Sequence, residues 1–222
     1  LGTPPPCASV PGAAAWWRAE GSTTSESGSV LSGAGVYGPG RVGLGWQFGT
    51  TTPALSGTGV TITSALSIEA WIEPVRSWFT QVIAGRWSFA SARDDNRSFA
   101  LLLEPGPSLT FMVDDPSSRR PTEVRAAVDP TLLFDGVPHH VAVTWADAAA
   151  TVYLDGVPIA SAATAGGPVQ AASNVAFTVG DARGPVRFAY VGMLDELTIY
   201  QRSLTATEIE AIVGAGRTGK CQ

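Results

Sequence analysis

The stretch His139-His140-Val141-Ala142-Val143-Thr144-Trp145, followed by Thr151-Val152-Tyr153-Leu154-Asp155-Gly156-Val157-Pro158-Ile159-Ala160, decides the fold class. Val141 and Val143 alternate with Ala142 and Thr144, which is the period of two of a strand with one face buried. Asp155-Gly156 supplies two residues that tolerate positive φ, as a type I′ turn requires, so it closes a hairpin. The stretch therefore reads as strand, short turn, strand, tight turn, strand: a β-meander in an antiparallel sheet.

Four further segments extend this pattern. They are Trp16-Trp17-Arg18-Ala19-Glu20-Gly21; Gly38-Pro39-Gly40-Arg41-Val42-Gly43 with Trp46-Gln47-Phe48; Ile68-Glu69-Ala70-Trp71-Ile72-Glu73-Pro74; and Gly192-Met193-Leu194-Asp195-Glu196-Leu197-Thr198-Ile199-Tyr200. With the central hairpin, these five segments resemble, in order, the strands of the laminin G-like branch of the concanavalin A-like lectin/glucanase superfamily. The matches run from about Val10 to Ala215. The resemblance implies an all-β fold, a two-sheet antiparallel jelly-roll sandwich with a short C-terminal helix. A fold of this kind hosts many ligands, so the resemblance speaks for the architecture and little for the partner.

The chain of 222 residues shows no internal linker and is read as one domain over residues 10–215, with a Pro-rich arm or linker at 1–9 and a tail at 216–222. No apolar run is long enough for a transmembrane helix, so no membrane insertion is expected. Leu1-Gly2-Thr3-Pro4-Pro5-Pro6 has neither a basic start nor an apolar h-region, and the sequence reads as mature or excised from a longer chain. The net charge of −5, without a basic stripe, argues against nucleic acid. Lys220 is the only lysine, an arginine bias that suggests a GC-rich bacterial genome. Cys7 and Cys221 are the only cysteines. A disulfide tying the two ends in an oxidising compartment is expected, worth about 5 kcal/mol in the chain-entropy model, with two free thiols as the alternative. Zinc is not expected, because no other cysteine and no spaced histidine accompanies either one.

Along the chain, strands are expected at 16–20, within 36–48, and at 60–62, 66–72, 81–84, 98–103, 109–113, 123–127, 175–180 and within 188–200. Loops are expected at 21–35, 114–121, 130–136 and 181–186. Thr205 with Glu208 forms a capping box. Leu204 and Ile209 form the hydrophobic staple across it, and Ile209, Ile212 and Val213 an apolar helical stripe that ends at Gly214 and Gly216.

Candidate chemistry follows from this layout. Glu69 and Glu73 share one strand face, as the glutamates of glucanase relatives do. Their Cα atoms would lie roughly 13 Å apart, and the intervening acid of the glucanase pattern is replaced by Trp71. No nucleophile-elbow signature accompanies them. The two are read as solvated strand residues. His139 and His140 point to opposite faces, so one metal ion does not take both, and packing or hydrogen bonding is expected. The resemblance points to Glu20 and Asp195 as carboxylate ligands of a Ca²⁺, although the loop after Glu20 carries Ser and Thr where relatives carry Asn and Asp. The alternative is carboxylates satisfied by backbone N–H groups. Asp94-Asp95 and Asp114-Asp115 are second calcium candidates, or solvated turns. Trp78, Phe79 and Trp87, with Arg76, Arg86, Arg93, Asp94, Asp95 and Arg97 nearby, combine flat aromatic faces with planar polar groups. Trp78, Trp87, Arg93 and Asp95 are the expected ligand contacts, with core packing as the alternative for each aromatic.

The expected function is an extracellular, non-catalytic binding or adhesion module for a glycan or a protein surface, within a larger secreted protein. A polysaccharide-cleaving enzyme on the same fold and a ligand-free structural spacer are the alternatives.

Overall fold

A computed structural model describes residues 6–58, 60–62, 64–89, 96–114, 120–146, 149–164, 168–172, 174–182 and 188–222. The first strands are β1 (Ala13–Trp17), β2 (Tyr37–Pro39), β3 (Leu44–Phe48), β4 (Leu55–Gly57), β5 (Leu66–Pro74), β6 (Gln81–Trp87) and β7 (Arg97–Glu104). Then come β8 (Ser108–Val113), β9 (Thr122–Ala127), helix α1 (Pro130–Leu133), β10 (His139–Ala146), β11 (Ala149–Leu154), β12 (Val157–Ala163), β13 (Phe177–Val179), β14 (Gly192–Tyr200) and helix α2 (Ala206–Ala215). The larger sheet has the order β12-β11-β10-β5-β14-β3-β2, with β1 also on β14; the smaller has β4-β13-β6-β7-β8-β9. All pairings between strands are antiparallel, and the two sheets pack face to face as a jelly-roll sandwich.

Alternation sorts the side chains. On β5, Ile68, Ala70 and Ile72 enter the core between the sheets; on β10, Val141, Val143 and Trp145 do the same. Phe99, Leu101 and Leu103 of β7 and Phe111 of β8 meet them from the smaller sheet. The Asp155-Gly156 hairpin forms as the sequence requires: φ is +48° and +85°, and Leu154 pairs with Val157.

Two irregularities position the sites described below. First, β3 and β1 share one edge of β14: Gly192 to Leu194 pair with β3, and Leu197 to Tyr200 pair with β1. Second, β14 bulges between these halves. Asp195 opposes Trp71 while Thr198 opposes Glu69, so β14 carries one extra residue, and Glu196 takes φ +57° to absorb it.

The outer face of the larger sheet is covered by α2. Thr205 and Glu208 make the reciprocal capping box, and Leu204, Ile209 and Ile212 pack on Ala142, Tyr153 and Tyr200. The chain ends meet here. Ala8 bridges Lys220 in parallel, the Ala8 N–H donates to Gly219 O and the Cys221 N–H to Ala8 O, both at 2.9 Å. Cys7 and Cys221 are disulfide-bonded, with Cα atoms 4.9 Å apart.

Several expectations change. Residues 60–62 are not a strand, although Val60 and Ile62 are buried in the core. The connection 130–136 contains α1, started by Pro130 and the Asp129 cap. The arm and the tail are not peripheral where described: Ala8 and Lys220 are both buried. Residues 1–5 lie outside the described part.

Candidate functional site

At one end of the sandwich, β5 leads through residues 75–80 into β6. The loop is held to the body by the Val75 N–H, which donates to Val191 O at 2.8 Å, and by Gln81, whose Oε1 accepts from the Val191 N–H at 2.8 Å. Its tip faces outward. Trp78 is 84 % exposed and Phe79 76 % exposed, and the Arg76 guanidinium lies 5.9 Å from the Trp78 ring centroid. Within the loop the Phe79 N–H donates to Ser77 Oγ, a local turn that sets the aromatic pair on the apex.

Beside this loop is a groove of 540 Å³. Glu73, Val75 and Arg76 form one wall, and Thr131, Phe134 and Gly136 of the β9–β10 connection form another. The groove thus offers a carboxylate, a guanidinium and the apolar side chains of Val75 and Phe134, next to two exposed aromatic faces.

The second wall is fixed by His139. Its Nδ1 lies 2.7 Å from Asp155 Oδ2 and its Nε2 3.1 Å from Asp135 Oδ1. Burial alone favours the neutral ring, but the two carboxylates outweigh it and raise the pKa above 6.5. The imidazolium ties the segment carrying Asp135 to the hairpin turn carrying Asp155, whose Oδ1 also accepts from the His140 N–H at 2.8 Å.

Other expected site residues fall elsewhere. Trp87 is only 5 % exposed; it packs with Val82, Ala100 and Leu102 and offers no platform. The expected strand ended at 84, but β6 runs on to Trp87 and carries its ring onto the outer face of the smaller sheet. Arg93, Asp94 and Asp95, together with Asp115, lie outside the described residues. Asp114 is no solvated turn residue: it is buried, with Oδ2 3.1 Å from Arg97 Nε.

Glu69 and Glu73 do not converge on a cleft. Glu73 is half-buried at the groove, but Glu69 is 0 % exposed, which corrects its reading as a solvated residue. Its Oε1 accepts from Lys220 Nζ at 2.9 Å, and its Oε2 lies 3.0 Å from His140 Nε2. Lys220 also reaches Glu196 Oε2 at 3.2 Å and lies 5.0 Å from the Trp16 ring centroid. Trp16 Nε1 donates to the same Glu196 oxygen at 3.0 Å. Burial raises the Glu69 pKa, but Lys220 and then His140 overcome it, and the carboxyl is held at about 2. Lys220 is raised in turn by Glu69 and Glu196 against its own desolvation. This buried ion cluster was missed in the sequence, where Lys220 was assigned only to a tail at 216–222.

Glu20 and Asp195 meet at the β2–β3 turn, in the gap between β1 and β3. Both Glu20 oxygens accept from the Leu44 N–H at 3.2 Å, and Asp195 Oδ2 accepts from the Val42 N–H at 2.9 Å. Gly40 and Gly43 leave the space: a Cβ at Gly43 would stand 2.2 Å from Glu20 Oε1, and one at Gly40 2.7 Å from Asp195 Oδ2. Burial and the neighbouring Glu196 push the Asp195 carboxyl up to about 7, and its Oδ1 is buried without a hydrogen-bond partner. The donors match a hard cation in kind, since both are carboxylate oxygens. Among the described residues, no group of three or more His, Cys, Asp or Glu side chains is disposed to hold a metal, so any remaining ligands would have to be backbone oxygens or water.

A family model described as the concanavalin A-like lectin/glucanases superfamily matches residues 47–210. Comparison with curated proteins finds no match. Among solved structures, the binding domain of Paraclostridial Mosquitocidal Protein 1 is 14 % identical with a TM-score of 0.70, over 91 % of this chain and 52 % of that one. Domain 4 of AbnA, a GH43 extracellular arabinanase from Geobacillus stearothermophilus, solved in complex with arabinotriose, is 17 % identical with a TM-score of 0.66, over 92 % of this chain and 98 % of that one. The botulinum neurotoxin serotype G binding domain is 10 % identical with a TM-score of 0.71, over 90 % and 50 %. The chain thus spans about half the length of the two toxin binding domains. At these identities the likeness is one of fold.

Proposed function

Since this chain belongs to the concanavalin A-like lectin/glucanases superfamily, we propose that it is a non-catalytic binding module for a glycan or protein surface, working outside the cell as part of a larger secreted protein. The observation that carries this reading is the pair Trp78 and Phe79, almost fully exposed beside the 540 Å³ groove. Burying two aromatic faces of this size would be favourable, and they are left to solvent apart from the Arg76 guanidinium over Trp78. A flat ring stacks on the apolar face of a sugar or enters a pocket on a protein; Glu73 and Arg76 then supply directional hydrogen bonds. The neighbours support the reading: two are binding domains of toxins, and one is the domain of an extracellular arabinanase solved with arabinotriose. The Cys7–Cys221 disulfide suits an oxidising compartment. No helix among the described residues is long and apolar enough to cross a membrane.

Two alternatives weaken on specific observations. A ligand-free spacer gives no reason for an exposed aromatic apex. A polysaccharide-cleaving enzyme using Glu69 and Glu73 needs both acids in a cleft, and Glu69 is sealed beneath Lys220 and His140. Calcium remains part of the proposal. Glu20 and Asp195 would hold it and pin the β2–β3 turn to the end of β1, with the unpartnered Asp195 Oδ1 as the supporting observation.

The test is titration with a glycan panel that includes arabino-oligosaccharides, followed by calorimetry and tryptophan fluorescence. Saturable binding that falls about 30-fold in Trp78→Ala, the effect of losing a central aromatic contact, supports the reading. Saturable binding that is indifferent to Trp78 and Phe79 would remove this loop from the account.

A further inference from the structure

A second cavity lies at the opposite end of β6 from the aromatic loop, about 16 Å along the strand. Its volume is 630 Å³, and Ser32, Ser56, Thr58, Asn174, Val175 and Arg86 line it. Arg86 is the unusual member. It pairs directly with Phe99 across β6 and β7, and directly opposed residues project from the same sheet face. Phe99 is fully buried in the core between the sheets, so the pattern puts an arginine at a core-facing position. Its Nη2 donates to Thr58 O. Its Nε is buried with no hydrogen-bond partner. Desolvation lowers its pKa, and among the described residues no carboxylate offsets that. A half-buried guanidinium left this way is costly to the fold, and its planar donors suit an oxyanion.

The wall opposite is preformed. Ser32 and Ser56 exchange two backbone hydrogen bonds, at 2.7 and 2.9 Å. Gly57 lets the two segments close, because a Cβ there would stand 2.4 Å from Val30 O. The wall carries hydroxyl and amide groups, which suit the hydroxyls of a sugar ring.

We propose that this cavity is a subsite for an acidic sugar, with Arg86 binding the carboxylate or sulfate group and the Ser/Thr/Asn wall binding ring hydroxyls. The subsite is independent of the aromatic loop. The net charge of −5 makes diffuse attraction of an anion unfavourable, so recognition would depend on this one guanidinium.

The experiment is calorimetric titration of the full chain with glucuronate, glucose 6-sulfate, glucose and inorganic sulfate, with the Arg86 Nε–Hε resonance followed by NMR. The expected result is saturable binding of at least one acidic sugar, with a shift of that resonance, and affinity lower by about tenfold or more for glucose and in Arg86→Gln. Which acidic sugar binds identifies the source of the oxyanion. Should Arg86→Gln fail to fold, Ser32→Phe serves instead: the position is exposed, its backbone bonds remain, and the ring fills the cavity, so binding should again be lost. Trp78→Ala should leave this binding unchanged. No saturable binding of either acidic sugar at millimolar concentration, equal binding of glucose, or equal binding of inorganic sulfate would each overturn the proposal.

Discussion

Replacing Lys220 with methionine should be among the most damaging single changes in the molecule. The side chain is buried and its single positive charge is shared by two buried carboxylates, Glu69 at 2.9 Å and Glu196 at 3.2 Å. Methionine fills much of the same space but removes the cation, leaving Glu69 to His140 and Glu196 to the Trp16 N–H. Removing one partner of a buried ion pair costs about 3–5 kcal/mol. The titration of Glu69 gives a similar figure: a carboxyl moved from 4.5 to about 2 adds about 3 kcal/mol of stability near neutral pH. For a chain of this size, about 4 kcal/mol lowers the midpoint by about 12 °C. Differential scanning calorimetry at pH 7 measures it. The sign with pH is also determined. The Glu69 contribution is complete above its unfolded pKa of 4.5 and is lost as pH falls through about 2, so the gap between native and Lys220→Met should narrow on acidification across that window. Adding Glu69→Gln to Lys220→Met should recover the part of the loss that Glu69 causes, while Glu196 still lacks its cation. A loss below about 1 kcal/mol, the size of an exposed pair, would refute the reasoning.

Three further predictions concern the frame around the site. Reduction of the disulfide, or Cys7→Ser with Cys221→Ser, should lower stability by up to about 5 kcal/mol. Because Cys221 adjoins Lys220, the effect should be less than additive with Lys220→Met, which a double-mutant cycle reads. His139 has a raised pKa, so its contribution is complete below 6.5 and lost as pH rises through the higher folded value. Thermal midpoints should therefore fall over that interval in the native chain and less in His139→Asn; an identical pH response in both would contradict the assignment. Calcium should raise the midpoint relative to EDTA, and Asp195→Asn should abolish the rise; a midpoint indifferent to calcium would discard that part of the proposal.

The hairpin at Asp155-Gly156, the alternating strands around Ile68 and Val141, and the capped helix after Thr205 were legible because each depends on neighbouring residues in the chain. The β14 bulge at Glu196 and the sharing of one β14 edge by β1 and β3 were not, since both arise from pairing between distant segments. The site divides in the same way. Trp78 was legible as an aromatic on a loop because its segment lies between two clearly patterned strands, and it is exposed there. Trp87 was misplaced because β6 extends three residues past the apolar run that marked it, to 87 instead of 84. Glu69 and Lys220 are 151 residues apart, and no local pattern couples them. The joined termini were legible only through the cysteines; the buried lysine beside Cys221 had no signal of its own.

The most direct test of the binding assignment is calorimetric titration of the native chain and the Trp78→Ala, Phe79→Ala double variant against the neutral members of the same glycan panel, with circular dichroism to verify folding. The account predicts saturable binding by the native chain to at least one member, and its loss in a double variant that remains folded. Equal affinity in the two proteins, or no saturable binding to any glycan or to extracellular protein extracts, would contradict it.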